Sequence, residues 1–314
     1  MIEIKNLVRK FGSNFALDDI SFTIKEGEIV GFLGPNGAGK STTMNIITGY
    51  LSPTKGQVLV DGIDVFEEPT SVKKLIGFLP EQPPLYMDMT VWEYLSFVYD
   101  LKSCTFNKRA HLNEICELVK IHDVKKRLIK NLSKGYKQRV GIGAAIVGNP
   151  KIIILDEPTV GLDPMQVIEI RNLIRSLGKK HTVILSSHIL SEVQSVCSRI
   201  VVIRDGKIIA DENTPKLSKV IGQDNRFQVK IAGPQKEVLN LLRSIHSVRQ
   251  VTPVGERDGD AYTFVIEYSG AGDIRKIMFR ELANKGWPIM AMEGVSTTLE
   301  DLFVKLMQKN KEED

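Results

Sequence analysis

Residues 1–24 alternate. Ile2, Ile4 and Leu7 mark one apolar side of a first run, a turn follows at Phe11-Gly12-Ser13-Asn14, and a second alternating run covers 20–24. Period-two patterning predicts half-buried strands, here an antiparallel edge ahead of a parallel core. After Glu26-Gly27 the pattern changes: Ile29-Val30-Gly31-Phe32-Leu33 is apolar throughout, as a strand covered on both faces would be. Short strands are expected at 57–62 and 75–79. The second is stopped by Pro80-Glu81-Gln82-Pro83-Pro84, through which no regular element continues. From 90 to about 149 the apolar spacing becomes helical (Val91, Tyr94, Leu95, Val98, then Leu112, Ile115, Val119), and residues 85–149 read as a helical insertion between strands. Its last helix starts at Leu132-Ser133-Lys134-Gly135-Tyr136 with Ser133 as N-cap and stops at Gly148-Asn149-Pro150. Buried strands at 152–155 and 182–188 flank a helix at 165–177. A hairpin at 200–210, turning on Asp205-Gly206, closes a first domain of residues 1–215.

Residues 216–314 differ in texture. Strand 227–231, helix 237–245, a hairpin of 248–254 and 262–268 across a turn at 255–260, helix 274–283 and strand 287–292 give the order βαββαβ of a small ferredoxin-like α+β sandwich. A further helix is expected at 298–307 and a polar tail at 309–314. With no Cys/His cluster, glycine-rich loop or paired carboxylates, this domain reads as a dimerisation or accessory module without chemistry of its own.

Composition narrows the partners. Charged residues are 25%, hydrophobic ones 42%, and the net charge is +4, too small to argue for nucleic acid. The first six residues carry no secretory core, and the apolar runs are far too short to span a bilayer. Cys104, Cys116 and Cys197 lie far apart without metal-ligand spacing, as buried or incidental thiols in a reducing cytosol would.

The chemistry concentrates at Gly34-Pro35-Asn36-Gly37-Ala38-Gly39-Lys40-Ser41-Thr42, which satisfies GxxxxGK[ST] between a predicted strand and a predicted helix. Glycines 34, 37 and 39 let backbone N–H groups turn inward around phosphate oxygens at the positive end of the helix. Lys40 then reaches the β- and γ-phosphates, and the Ser41 hydroxyl can ligate Mg²⁺. The strand 152–155 delivers Asp156 and Glu157 at its carboxyl end, where ligands of open α/β sheets bind. Asp156 is the expected second Mg²⁺ anchor, and Glu157 is placed to orient or deprotonate water. His188 ends the next buried strand on the same face. Phe11 could stack on adenine or pack beneath its turn; the local pattern favours packing.

In this order the pieces resemble the ATP-binding subunits of ABC transporters, over residues 1–215. Gly34 to Thr42 is similar to the family's Walker A loop, 152–156 to Walker B, Leu162-Asp163 to the D-loop. Leu132-Ser133-Lys134-Gly135-Tyr136 stands where the family signature LSGGQ does. The resemblance implies adenine stacking by Phe11, Glu157 as catalytic glutamate, His188 as switch histidine, and γ-phosphate contacts from Ser133 and Gly135. Lys134 and Tyr136 depart from the usual glycine and glutamine. Pro80 is followed by Glu81, with Gln82 one residue late for the family's Q-loop glutamine; either takes that role, Glu81 fitting the spacing and serving as a further candidate metal ligand. The text of both variant loops resembles export-type subunits, including gliding-motility and copper-accessory systems. What this implies is a Mg-ATP hydrolase working as a head-to-tail homodimer or beside a paired ATPase subunit. Asp163 and Ser133 would border nucleotide, and separate transmembrane permease subunits would hold the chain at the cytoplasmic face of the membrane, with no nucleic acid involved. The rival class is a soluble ABC ATPase acting on DNA or the ribosome; the single P-loop and the lack of coiled coil or zinc site disfavour it.

Overall fold

The computed structural model describes residues 1–214, 225–269 and 273–294; the helix expected at 298–307 and the tail lie outside the described residues. The chain divides into two compact units, Met1–Lys216 and Leu217–Asp314.

In the first unit the alternating N-terminal strands build a sheet of their own. β1 (Ile2–Phe11) and β2 (Asn14–Ile24) form the hairpin, with Ile2 opposite Ile24. β4 (Lys55–Val60) then pairs antiparallel with β1, and β5 (Ile63–Asp64) completes the order β2-β1-β4-β5. The second sheet runs β10-β9-β3-β8-β7-β6, from β3 (Ile29–Leu33), β6 (Ile76–Leu79), β7 (Ile152–Asp156), β8 (Thr182–Ser187), β9 (Arg199–Arg204) and β10 (Lys207–Asn213). All its pairs are parallel except β9–β10, so the antiparallel edge of the parallel sheet is β10. The buried strands are covered on both faces, and on one of them α1 (Lys40–Ile47) and the N-terminal sheet share the core: Ile2, Ile4, Leu17 and Ile24 cluster with Met44, Ile46 and Ile47 and with Phe32, Ile154 and Ile184. Burying each such side chain contributes roughly 1.5–3 kcal/mol before the entropy of ordering it is subtracted.

α2 (Pro69–Leu75) precedes β6, and the insertion between β6 and β7 is helical as its spacing predicts. α3 (Val91–Leu101) opens with a complete capping box between Thr90 and Glu93, α4 (Lys108–Leu118) is capped by Asn107, and α5 (Lys134–Ile146) by Ser133. α6 (Pro164–Leu177) starts with Asp163 as N-cap and proline at its first position, and α7 (Leu190–Val196) follows β8.

The second unit contains β11 (Asn225–Ala232), α8 (Gln235–Ser244), β12 (Val248–Asp258), β13 (Ala261–Tyr268), α9 (Arg275–Asn284) and β14 (Ile289–Gly294). The sheet order is β12-β13-β11-β14, antiparallel throughout, over a core of Phe227, Val229, Val238, Leu242, Phe264, Met278 and Leu282. The hairpin turn is tighter than the pattern 255–260 suggests. A register shift after Val254 lets β12 continue to Asp258, opposite Ala261, so the connection is only Gly259-Asp260, with Gly259 at φ +65°. Among the described residues no helix is long and apolar enough to cross a membrane.

Candidate active site

Parallel pairing of β3, β8 and β7 brings three carboxyl ends to one edge of the sheet. Leu33 runs into the glycine-rich loop, Asp156 into Glu157, and Ser187 into His188. The edge holds a cleft of about 280 Å³, lined from the loop by Asn36, Gly37, Gly39, Lys40, Ser41 and Thr42 and from other strand ends by Glu81, Glu157, Val160 and His188. Gly39, immediately before α1, sits at φ 109°, and a Cβ there would lie 2.6 Å from the Ala16 carbonyl oxygen, so the turn into the helix admits only glycine. Pro35 is exposed and Ala38 buried; neither side chain lines the cleft.

Lys40 is buried. Its ammonium donates to the carbonyls of Gly34 (2.8 Å) and Pro35 (3.1 Å) and lies 3.3 Å from Glu157 Oε1. Glu157 holds a left-handed backbone at φ 47°, and its N–H donates to Ser186 Oγ at 2.9 Å. The other carboxylate oxygen, Oε2, is 3.0 Å from His188 Nδ1. A carboxylate only accepts, so that ring nitrogen carries the proton. Oε1 is buried and receives no hydrogen bond, its contact with Lys40 being an ion pair without donor geometry. Asp156, buried at the end of β7, accepts the Ser186 hydroxyl. The β7–β8 register sets Ser186 directly beside Asp156, so one hydroxyl restrains two consecutive acidic residues.

The remaining expected residues lie elsewhere. Phe11 ends β1 with its ring 52% exposed and the Arg9 guanidinium 4.6 Å from its centroid; it neither packs beneath the turn nor lines the cleft. Of the two Q-loop candidates, Glu81 reaches the cleft and Gln82 does not line it. Ser133, Lys134, Gly135 and Asp163 are absent from its lining. Ser133 and Asp163 are committed as caps, accepting from the backbone N–H of Tyr136 and Gln166. The Lys134 ammonium stands over Gly161, in the space a Cβ there would enter, and Gly135 meets the Gln166 side chain. Tyr136 donates to Asp123 at 3.1 Å, a bond that holds its phenol above the usual range. Ser186 and Val160 had no signal of their own in the sequence; Ser186 is identifiable only once β8 is known to lie beside β7.

The oxygen donors suit a hard divalent cation. Ser41 and Glu157 line the cleft and offer a hydroxyl and a carboxylate with one oxygen, Oε1, buried and unbonded; Asp156, the residue before Glu157, is buried and does not line the cleft but adds a second carboxylate behind it, and Mg²⁺ bound alongside nucleotide phosphates needs few protein ligands.

A loop of backbone donors with a buried lysine, facing an acidic pair from a neighbouring parallel strand, defines a P-loop nucleotide hydrolase. A profile of the family described as ABC transporter matches residues 17–160. The chain is 32% identical to the bacitracin transport ATP-binding protein BcrA of Bacillus licheniformis, over 98% of this chain and 97% of that one. It is 36% identical to the linearmycin resistance ATP-binding protein LnrL of Bacillus subtilis (strain 168), over 80% and 82%. It also matches the dimeric structure of a post-hydrolysis state of an ATP-binding cassette bound to ADP and Pi, with TM-score 0.63 and 30% identity, covering 68% of this chain and 99% of that one. The chain belongs to the ABC transporter ATP-binding proteins and is an ATPase, the ATP-binding subunit of such a transporter. Cassettes of this family dimerise and work with membrane permease components.

Proposed function

We propose that this chain hydrolyses Mg-ATP in a head-to-tail dimer, with itself or a paired ATPase subunit, to drive export through separate permease subunits. The observation that carries this reading is the division of the expected machinery. Lys40, Glu157 and His188 meet within hydrogen-bonding or ion-pairing distance in one cleft, while Ser133, Lys134 and Gly135 of the same chain do not line it. A second chain's signature completes the cleft.

Backbone N–H groups of residues 37–42 receive the phosphates at the positive end of α1, and Lys40 turns from its loop carbonyls and Glu157 toward the β- and γ-phosphates. Ser41 and Asp156, with Glu81 beside them, would hold Mg²⁺, which would supply neutralisation of charge on the phosphates. Glu157 accepts a hydrogen bond from the attacking water, and His188, whose Nδ1 proton already lies on Glu157, holds that carboxylate in line. Closure of the dimer excludes bulk water. Phe11, exposed at the end of β1, is available to adenine.

The permease contacts fall on the Glu81/Gln82 loop and the helical insertion. Next to that loop the exposed Tyr86 packs edge-on to Phe97 at 5.4 Å, with Met87 also exposed. Held by those contacts, the chain would work at the cytoplasmic face of the membrane. Export is supported by the two relatives, BcrA being a bacitracin transport protein and LnrL a linearmycin resistance protein.

Glu157→Gln tests the assignment. ATP turnover should vanish while an ATP-bound dimer accumulates on gel filtration; hydrolysis near the parental rate refutes the role given to Glu157.

A further inference from the structure

Behind the cleft, a buried carboxylate joins the two loops that carry its chemistry. Glu192, in the first turn of α7, is only 8% exposed. Its Oε2 accepts the Thr159 hydroxyl at 2.6 Å and the Ser187 hydroxyl at 3.2 Å, and both donors are themselves buried. Thr159 lies two residues after Glu157, and Ser187 immediately before His188. Ser187 Oγ also accepts the Ile189 N–H at 3.0 Å, so its one proton is committed to Glu192. Glu192 Oε1 faces Arg171 of α6 at 3.7 Å. Two hydroxyls from different strand ends thus converge on one oxygen, in a place where an unsatisfied polar group is costly.

We propose that Glu192 is a positioning residue for hydrolysis: by clamping Thr159 to Ser187 it sets the separation of Glu157 and His188, and so the line along which water approaches the γ-phosphate. This rests on the roles given above to Glu157 and His188. Glu192 does not line the cleft, and the one link from its partners to the glycine-rich loop is a long backbone bond from the Gly34 N–H to the Ser187 carbonyl at 3.4 Å, so its effect falls on turnover more than on nucleotide binding. The geometry demands an acceptor at one point. Glutamine offers a carbonyl oxygen there, alanine offers nothing, and aspartate is one methylene short of both hydroxyls. The duller alternative is an acidic residue that only favours the start of α7.

The test uses the full chain, with steady-state ATP hydrolysis and fluorescent-nucleotide binding at a temperature where every variant is folded. Glu192→Ala should lower kcat about 10- to 100-fold, the scale set by misplacing reacting groups by about 1 Å, with nucleotide Kd within about twofold of the parent. Thr159→Val should slow turnover in the same direction. The double variant should be no slower than Glu192→Ala alone, because both remove one bridge. Glu192→Gln should restore most of the rate and Glu192→Asp should not. Should Glu192→Ala fail to fold, the contrast of Gln against Asp, together with Thr159→Val, decides. Parental kcat in Glu192→Ala or Glu192→Asp, losses that multiply in the double variant, or a fall in nucleotide binding equal to the fall in kcat would each overturn the proposal. Glu157→Gln run beside these separates the two claims. Turnover in that variant removes the underlying assignment, whereas its inactivity beside a fully active Glu192→Ala removes only the positioning role.

Discussion

Ser186 is a single hydroxyl with two obligations, and Ser186→Ala removes both. In the parent it donates to Asp156 and accepts the Glu157 N–H, fully enclosed between β7 and β8. A hydrogen bond to a carboxylate contributes about 1.5–3 kcal/mol, and a buried N–H left without a partner costs about 1–3 kcal/mol. The space vacated by one oxygen is too small for a water to take over. Because both terms come from one atom they do not add in full, and about 3 kcal/mol is the working figure. For a unit the size of Met1–Lys216, each kcal/mol moves the midpoint by roughly 2–4 °C, so the shift should be about 6–12 °C.

The assay is thermal and urea unfolding, followed in the transition that ATP moves upward, which reports the unit containing the cleft. The m-value should stay at the parental value while the midpoint falls. Ser71→Ala is the control: its hydroxyl bonds Glu68 at the surface, and its loss should shift stability by no more than about 0.5 kcal/mol. ATP hydrolysis should fall as well, since Glu157 loses the restraint on its left-handed backbone. If Ser186→Ala behaves like Ser71→Ala, the claim that one hydroxyl organises both acidic residues is wrong.

Three further outcomes follow from other parts of the molecule. Gly39→Ala places a methyl 2.6 Å from the Ala16 carbonyl in a backbone at φ 109°, which should cost about 3 kcal/mol or more and abolish nucleotide binding by calorimetry; parental affinity would show that the loop does not hold phosphate in this conformation. Glu157→Gln, measured on dilute monomer, should bind ATP more tightly than the parent, about three- to tenfold or up to ~1.4 kcal/mol, because Lys40 no longer has an anionic competitor. Lys102, largely buried, donates to the carbonyls of Ala144, Ala145 and Val147 at the end of α5, and burial pulls its ammonium down to about 8 from 10.5. Between those values the unfolded chain holds a proton the folded chain has lost, so stability should rise with pH from about 8 to 10.5, by up to about 3 kcal/mol relative to Lys102→Met. A difference between parent and Lys102→Met that is flat over that range contradicts it.

What the sequence made legible was local. The glycine-rich loop is legible because phosphate binding by backbone needs glycine at particular intervals, and the Ser133 cap because an N-cap is settled within four residues. The apolar runs of β3, β7 and β8 announced strands covered on both faces. Strand partition was not legible: nothing in residues 2–24 says that their partner is Lys55–Val60 and not the edge of the parallel sheet, since that pairing is decided by how α1 fills the space between two sheets. Ser186 and Glu192 were missed for a related reason. A serine in an apolar strand and a glutamate in a short helix have no distinctive spacing, and each acquires its meaning from the register of a strand far away in the chain. At 248–268 the polar and glycine residues suggested a long turn, whereas a bulge absorbed them into β12.

On the roles proposed above, the pairing of Lys40 with Glu157 links binding to activation. In this arrangement the lysine needed for phosphate and the carboxylate needed for water neutralise each other inside the protein, 3.3 Å apart. Breaking a buried pair by removing one partner costs roughly 3–5 kcal/mol, so neither group is released unless another charge takes its place. A phosphate oxygen does that for Lys40. Glu157 is left with His188 on Oε2, and its Oε1, which has no hydrogen-bond donor in the pair, turns to whatever donor enters the cleft. Water is the donor hydrolysis requires. On that proposal Lys40 holds Glu157 occupied until phosphate arrives, and tighter ATP binding by Glu157→Gln is the direct measure of the competition. An unchanged affinity would mean that Lys40 leaves the carboxylate at no cost, and the link between binding and activation would have to be sought in dimer closure alone.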